Sequence, residues 1–268
     1  MKGSGEWGRV MTGAQGEAET DPLIPLHPSS SPFIPSQDKR SFVQRLFTNI
    51  APRYDWFNRL ASCGLDQRWR RQAILRGGIA PGQRILDVCA GTGNLAILCA
   101  KRQRGQGTVA GLDMNCEMLA HAQRKQRSLR LRIGWCQGDA EVLPFPTGGF
   151  DRVLIGFSTR NLTDLMTGLR EMVRVLRPGG SLIILETGRP ANPLVRFGYQ
   201  AFLFTAARTI GWLLTGRCWP FTYLARSVQQ FLTPQQVVER LQSLKTQVQY
   251  VPLSRGLASL YLATKITP

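Results

Sequence analysis

Acids and glycines at regular intervals carry the chemistry legible in this chain. The stretch RILDVCAGTGNLA, residues 84–96, runs an apolar segment through Ile85, Leu86 and Val88, interrupts it with Asp87 and sheds side-chain bulk over Cys89-Ala90-Gly91-Thr92-Gly93 before apolar positions resume at helical spacing. This predicts a strand, a tight turn and a helix start. Gly91 and Gly93 permit positive φ and a close backbone approach, and the helix start presents unpaired N–H groups, so a ligand is expected against the turn. Gly91-x-Gly93-x-x-Ala96 also satisfies the dinucleotide fingerprint, but a carboxylate at Asp87 would repel a pyrophosphate and suits a cation. Asp113 follows about twenty residues beyond the turn, where a carboxylate can accept both hydroxyls of a ribose. Asp139, after a third apolar run and beside Ala140, is placed to accept from an adenine amino group. The three acids together favour S-adenosylmethionine, with its positive sulfonium and ammonium and no phosphate, over NAD.

Other chemistries have few residues to draw on. His27 and His121 are the two histidines, which argues against a His-based metal site or a Ser-His-Asp triad, and no metal is expected. Six cysteines, at 63, 89, 99, 116, 136 and 218, form no C-x-x-C pair and are expected to be reduced, as in a cytoplasmic protein. Lysine and arginine total 34 against 17 acids, a formal net charge of +17, which favours an anionic partner such as nucleic acid or the face of a membrane.

The elements that must position these residues alternate regularly. Residues 1–38 are rich in Gly, Ser and Pro and are expected to be a disordered tail without the basic start and apolar run of a signal peptide. From Ser41 to Ile50 apolar residues recur at helical spacing, and a second stretch interleaves Tyr54, Trp56, Phe57, Trp69 and Ile74 with Arg53, Arg59, Arg68, Arg70 and Arg71. Residues 39–80 therefore form a helical cap, suited either to filling a core or to covering an apolar ligand while facing a charged surface. Strands follow at 84–88, 107–114, within LRIGWCQGDAEVLPF, at 150–157 and at 181–187, separated by helices, and the last two, TQVQYVPL and LASLYLATK, pair as a hairpin at the sheet edge. The fold class is α/β: a doubly wound, mostly parallel seven-stranded sheet over 81–268. Its alternation breaks at 192–216, strongly apolar but interrupted by Arg196 and Arg208, each worth about 2.5–3.5 kcal/mol against membrane insertion. This segment is expected to belong to a helical lid or membrane-facing insertion spanning 192–230.

From about Phe42 onward the chain resembles the ubiquinone/menaquinone biosynthesis C-methyltransferases, class I enzymes acting on polyprenyl quinols. The resemblance rests on FTNIAPRYDWFNRLASCGLDQRWRR, LDVCAGTGNLA, GDAEVLPFP, STRNLTD, RVLRPGG and YLARSVQQF, with Ala-Pro-x-Tyr-Asp, Arg160-Asn161 and Tyr-Leu-x-x-Ser the most particular to the family. It implies Thr92, Asp113 and Asp139 with Ala140 as cofactor contacts. Gly156 stands where the family has Ser, so the resemblance implies that the hydroxyl contact is lost there and leaves room for a backbone contact. Ser158-Thr159 and Glu186-Thr187 depart from the usual Gly-Leu and Glu-Phe. The implied reaction is attack of an electron-rich quinol carbon on the methyl of S-adenosylmethionine. Arg160 and Asn161 would orient a water or stabilise the oxyanion, Tyr54 would contact the substrate, and Asp55 would orient a neighbour. Arg160 could instead pair with an acid such as Asp164. The basic surface and the insertion then suit peripheral contact with an anionic membrane holding the lipid-soluble substrate; no nucleic acid is expected, and a homodimer is left open. A naphthoquinol, as in conversion of demethylmenaquinol to menaquinol, is favoured over a benzoquinol without a residue that decides it. A class I methyltransferase acting on another small molecule or RNA, and a non-catalytic scaffold of a quinone-biosynthesis complex, remain the rivals.

Overall fold

Ile85, Leu86 and Val88 are buried on both faces of their strand, and the sheet is built outward from them. The computed structural model describes residues 36–205, 209–210, 212–213 and 219–267. Strands β1 (Arg84–Val88), β2 (Thr108–Asp113), β3 (Gly134–Gln137), β4 (Phe150–Gly156), β5 (Leu176–Thr187), β6 (Thr246–Leu253) and β7 (Ala258–Lys265) form one sheet in the order β3-β2-β1-β4-β5-β7-β6. The first five are mutually parallel, and β7 runs antiparallel to both β5 and β6. The expected terminal hairpin is therefore present. Strand order reverses between β1 and β4, and the crevice beyond their carboxyl ends is where open sheets of this kind bind ligands.

Alternation along the strands divides the core. Leu86, Val88, Val153 and Ile155 pack on one face, and Ile85 and Leu154 pack on the other with Trp69, Ala73 and Leu95. The helices are α1 (Ser36–Ile50), α2 (Tyr54–Ala61), α3 (Leu65–Arg76), α4 (Asn94–Gln103), α5 (Cys116–Ser128), α6 (Leu165–Val175), α7 (Pro193–Phe204), α8 (Trp219–Gln230) and α9 (Pro234–Gln242). A third apolar cluster joins Leu46, Ile50, Phe57, Met118, Leu203 and Ala225, which ties the cap helices α1 and α2 to α5, α7 and α8.

Local detail departs from the sequence reading at several points. Helix α1 starts at Ser36 and so takes in the end of the segment expected to be tail; residues 1–35, including His27, lie outside the described residues. The aromatic and arginine-rich stretch is two helices, because Cys63 and Gly64 adopt positive φ and turn the chain. Arg177-Pro178-Gly179-Gly180 does not end α6 but forms the irregular start of β5, where register slips between Phe150 and Arg152. The apolar insertion contains α7, capped by the Asn192 side chain accepting from the Leu194 and Val195 N–H groups, and the later helix α8. Arg208 and Cys218 lie outside the described residues. Among the described residues no helix is long and apolar enough to cross a membrane.

Candidate functional site

The turn after β1 is shaped from two sides. Gly91 has φ of 54°, and a Cβ there would meet nothing within 4 Å, so the backbone faces open space. Gly93 has φ of 78°, but a Cβ would strike Trp135 of β3 at 2.6 Å. Its missing side chain admits an indole packed behind the turn. Asp113, ending β2, accepts from the Gly91 N–H at 2.7 Å through one oxygen and from the Asn115 N–H at 2.8 Å through the other. Burial pushes its carboxyl up, and these backbone donors pull against that shift. Asp139, beyond β3, accepts from the Glu141 N–H at 3.0 Å and pairs with Arg40 of α1 at 2.5 Å. Gly91, Thr92, Asp113, Asp139, Ala140 and Gly156 all line one cleft at the carboxyl edge of the sheet.

The cap is latched over this cleft by polar contacts as well as by its apolar face. Asp55 of α2 accepts from Thr92 Oγ1 at 2.6 Å and Asn94 Nδ2 at 2.8 Å and pairs with Lys125 of α5 at 2.7 Å. Burial pushes the Asp55 carboxyl up, but Lys125 and the three hydrogen bonds outweigh it and hold it below the usual range. Asn115 Nδ2 reaches Thr48 Oγ1 and the Gln44 carbonyl of α1, and the same side chain caps α5 by accepting from the Met118 N–H.

A second cavity, of about 410 Å³, lies between the cap, α7 and α8. Its walls are mostly apolar, among them Ile50, Phe57, Trp69, Phe157, Phe202 and Leu203. Phe47, Tyr54, Arg70 and Asn161 line both spaces, so the acid-lined cleft and the apolar cavity meet at these four side chains. Arg160 closes the polar end of the apolar cavity. It pairs with Glu186, donates to the Phe157 carbonyl at 2.8 Å and reaches Ser227 Oγ at 3.3 Å. Burial alone would lower its pKa, yet the Glu186 charge raises it, so the group stays a cation. Tyr223 Oη donates to Asn161 Oδ1 at 3.2 Å. Tyr199, in the same wall, has its phenol pushed up to about 12 by burial, with the Arg160 charge opposing.

The model of the ubiE/COQ5 methyltransferase family matches residues 35–265, which takes in the cap, the sheet and both cavities. The chain belongs to this family. Its relatives include a demethylmenaquinone methyltransferase of Deinococcus radiodurans, 37% identical over 85% of this chain and 95% of that one. A ubiquinone/menaquinone biosynthesis C-methyltransferase of Hahella chejuensis is 36% identical over 87% of this chain and 94% of its own. Among solved structures, a putative S-adenosyl-L-methionine-dependent methyltransferase from Methanococcus maripaludis shares the fold with a TM-score of 0.59 at 21% identity, covering 82% of this chain and 94% of that one.

Within this ubiE/COQ5 methyltransferase, two expected cofactor contacts sit elsewhere. Asp87 is 1% exposed and does not line the cleft. By strand alternation it shares a face with Ile85, not with the ligand side, and its carboxylate accepts from the Ala96 N–H at 2.9 Å, inside the first turn of α4. Gly93 likewise lies behind the cleft, against Trp135. The acid expected to pair with Arg160 is also corrected: Asp164 caps α6 through Met166 and Thr167, and Glu186 takes the arginine. The Tyr-Leu-x-x-Ser motif acquires a physical role, since Tyr223 holds Asn161 and Ser227 holds Arg160. Arg70, Tyr199 and Lys125 are contributors that the sequence reading did not single out. Arg70 had a usable signal: Asp66, Trp69, Arg70, Ala73 and Ile74 form the buried stripe of α3 at helical spacing, whereas Arg68 and Arg71 are exposed.

Burial gives Asp87 a pH signature. Desolvation pushes its carboxyl up to about 7, with the Ala96 N–H and the Arg70 charge opposing. An unfolded Asp titrates near 4, so between these values the native state holds a proton that the unfolded state has lost, and stability falls as pH rises through that window, by up to about 4 kcal/mol. Asp87→Asn keeps an acceptor for the Ala96 N–H without the charge. Its denaturation free energy should be flatter between about pH 4 and 7 than that of the wild type, and parallel curves would show the assignment to be wrong.

Proposed function

We infer that the chain methylates a ring carbon of a polyprenyl quinol, with demethylmenaquinol as the favoured substrate, using S-adenosylmethionine at a membrane surface. The observation that carries this reading is the meeting of an acid-lined cleft with an apolar cavity at Tyr54, Arg70 and Asn161. The cleft fits the donor by its chemistry: Asp113 and Asp139 offer acceptors for hydroxyl and amino groups, Gly91 leaves backbone open to contact, and Ala140 and Gly156 add little bulk. When bound, the donor supplies a sulfonium-activated methyl. The protein's own residues do the rest. Tyr54, Asn161 and Arg160 mark the polar end, where a ring hydroxyl would sit while its prenyl tail occupies the apolar cavity. The lasting positive charge on Arg160 stabilises a quinol oxygen as its proton passes to water; the enriched neighbouring carbon then takes the methyl in line, the S–CH3 bond breaking to leave the neutral thioether product, and the ring proton at that carbon is lost to water as aromaticity returns.

Peripheral membrane contact belongs to the same reading. The helices that wall the apolar cavity carry Trp56 at 63%, Leu194 at 82% and Phe197 at 73% exposure, alongside a formal net charge of +17. Exposed aromatics among cations suit the headgroup region of an anionic bilayer.

The protein would be incubated with methyl-labelled S-adenosylmethionine and chemically reduced demethylmenaquinol in vesicles, and the extracted quinones analysed by mass spectrometry. Label is expected in menaquinone, faster with anionic than with neutral vesicles and slower at high salt. Label entering RNA or a soluble phenol instead would overturn the substrate class.

A further inference from the structure

Arg70 presents an unresolved charge. Its side chain is buried, with the residue only 6% exposed, and among the described residues it makes no hydrogen bond. The nearest acid, Asp66, stands 3.6 Å from Nε and is already served by Ser62 Oγ and Gln67 Nε2. The guanidinium lies over the Phe157 ring, 5.0 Å from its centre, and Nη1 comes within 3.7 Å of where a side chain on Gly156 would begin. A guanidinium has five donors in a planar fork and no acceptors. Burying it with a loose ion pair and one aromatic face is costly unless an anion completes its shell.

The position says which anion. Arg70 lines the acid-rich cleft at its junction with the apolar cavity, beside the carboxyl end of β4. The other arginine on the cleft wall, Arg40, is engaged by Asp139. The remaining charged side chains on that wall, Asp113, Asp139 and Glu141, are acids. Of the charged side chains on that wall, three are acids and Arg40 is taken up by one of them, so an amino-acid carboxylate entering the cleft finds its cation at Arg70.

We propose that Arg70 binds the carboxylate at the amino-acid end of the methyl donor, and that this contact places the sulfonium end at the junction with the apolar cavity. The assignment rests on the reading of the cleft as a site for S-adenosylmethionine. It makes Arg70 a cofactor-binding residue in a bidentate, charge-assisted contact.

The test is calorimetry with S-adenosylmethionine, its demethylated product and decarboxylated S-adenosylmethionine, which differs from the donor only in lacking the carboxylate. The wild type should bind the donor roughly 10- to 100-fold more tightly than the decarboxylated analogue, a comparison that needs no variant. Arg70→Met should lose most of that preference, weakening for donor and product alike while the analogue changes less than about threefold, and Arg70→Lys should fall between. Equal wild-type affinity for donor and analogue overturns the proposal, as does an equal loss for all three ligands in Arg70→Met. Normal donor affinity in that variant with a raised KM for the quinol would give Arg70 to the ring oxygen instead. A wild type that binds none of the three refutes the donor reading itself, a result distinct from any of these.

Discussion

Arg160→Ala is expected to lose turnover by roughly 100- to 1,000-fold and to lose about 3–5 kcal/mol of stability, for two separable reasons. The first is chemical: Arg160 is the charge held at the polar end of the apolar cavity, where a quinol oxygen would need stabilising as its proton leaves. The second is structural. Glu186 is fully buried, and besides Arg160 it accepts from Thr159 Oγ1 at 2.6 Å and from the Thr187 N–H at 2.8 Å. Hydrogen bonds stabilise that carboxylate but do not cancel its charge, so removing the cation strands it. Arg160→Met combined with Glu186→Gln removes both charges and should recover most of the stability, read by chemical denaturation, while single-turnover methyl transfer stays as low as in Arg160→Ala. Donor affinity should be near normal in both, since Arg160 does not line the cleft. A double variant that turns over at nearly the wild-type rate would reduce Arg160 to a structural ion pair.

The sheet and the cleft were legible for different reasons. Strand identity follows from local composition: runs such as Val153-Leu154-Ile155 and Leu182-Ile183-Ile184-Leu185 are buried on both faces and read as parallel core strands wherever they occur. Asp113 is also legible, because it ends its strand and is followed by Asn115 as the cap of α5. Asp87 misleads because it lies one residue before the end of β1, where alternation decides the face, and its face is the one covered by α4. The polar end of the apolar cavity is a product of long-range packing. Arg160 meets Ser227 across 67 positions and Glu186 across 26. Tyr223 reaches Asn161 across 62. No local spacing encodes such contacts, and the family resemblance pointed to Arg160 and Asn161 without saying what holds them. The division of the aromatic and arginine-rich stretch into α2 and α3 depends on a left-handed turn at Cys63-Gly64, which apolar spacing does not announce.

Asp113→Asn should weaken binding of S-adenosylmethionine and of its demethylated product by about 100-fold or more, although the two side chains are nearly isosteric. Both oxygens of Asp113 are committed to backbone donors, one to Gly91 in the turn and one to Asn115 before α5. An amide has one acceptor and one donor end, so in either rotamer an NH₂ group faces a backbone N–H that it cannot satisfy. The variant should therefore lose the negative charge proposed to meet the ribose hydroxyls and also push the Gly91 backbone out of the position that leaves the cleft open. Asp113→Glu restores the charge but lengthens the side chain within a site only 9% exposed, and it should recover little. Stability should move less than affinity, because Asn115 still caps α5 through the Met118 N–H and still reaches α1 through Thr48 and Gln44. The measurement is calorimetric titration of each variant beside a denaturation curve. Wild-type affinity in Asp113→Asn would mean that the donor does not rest on the carboxyl end of β2.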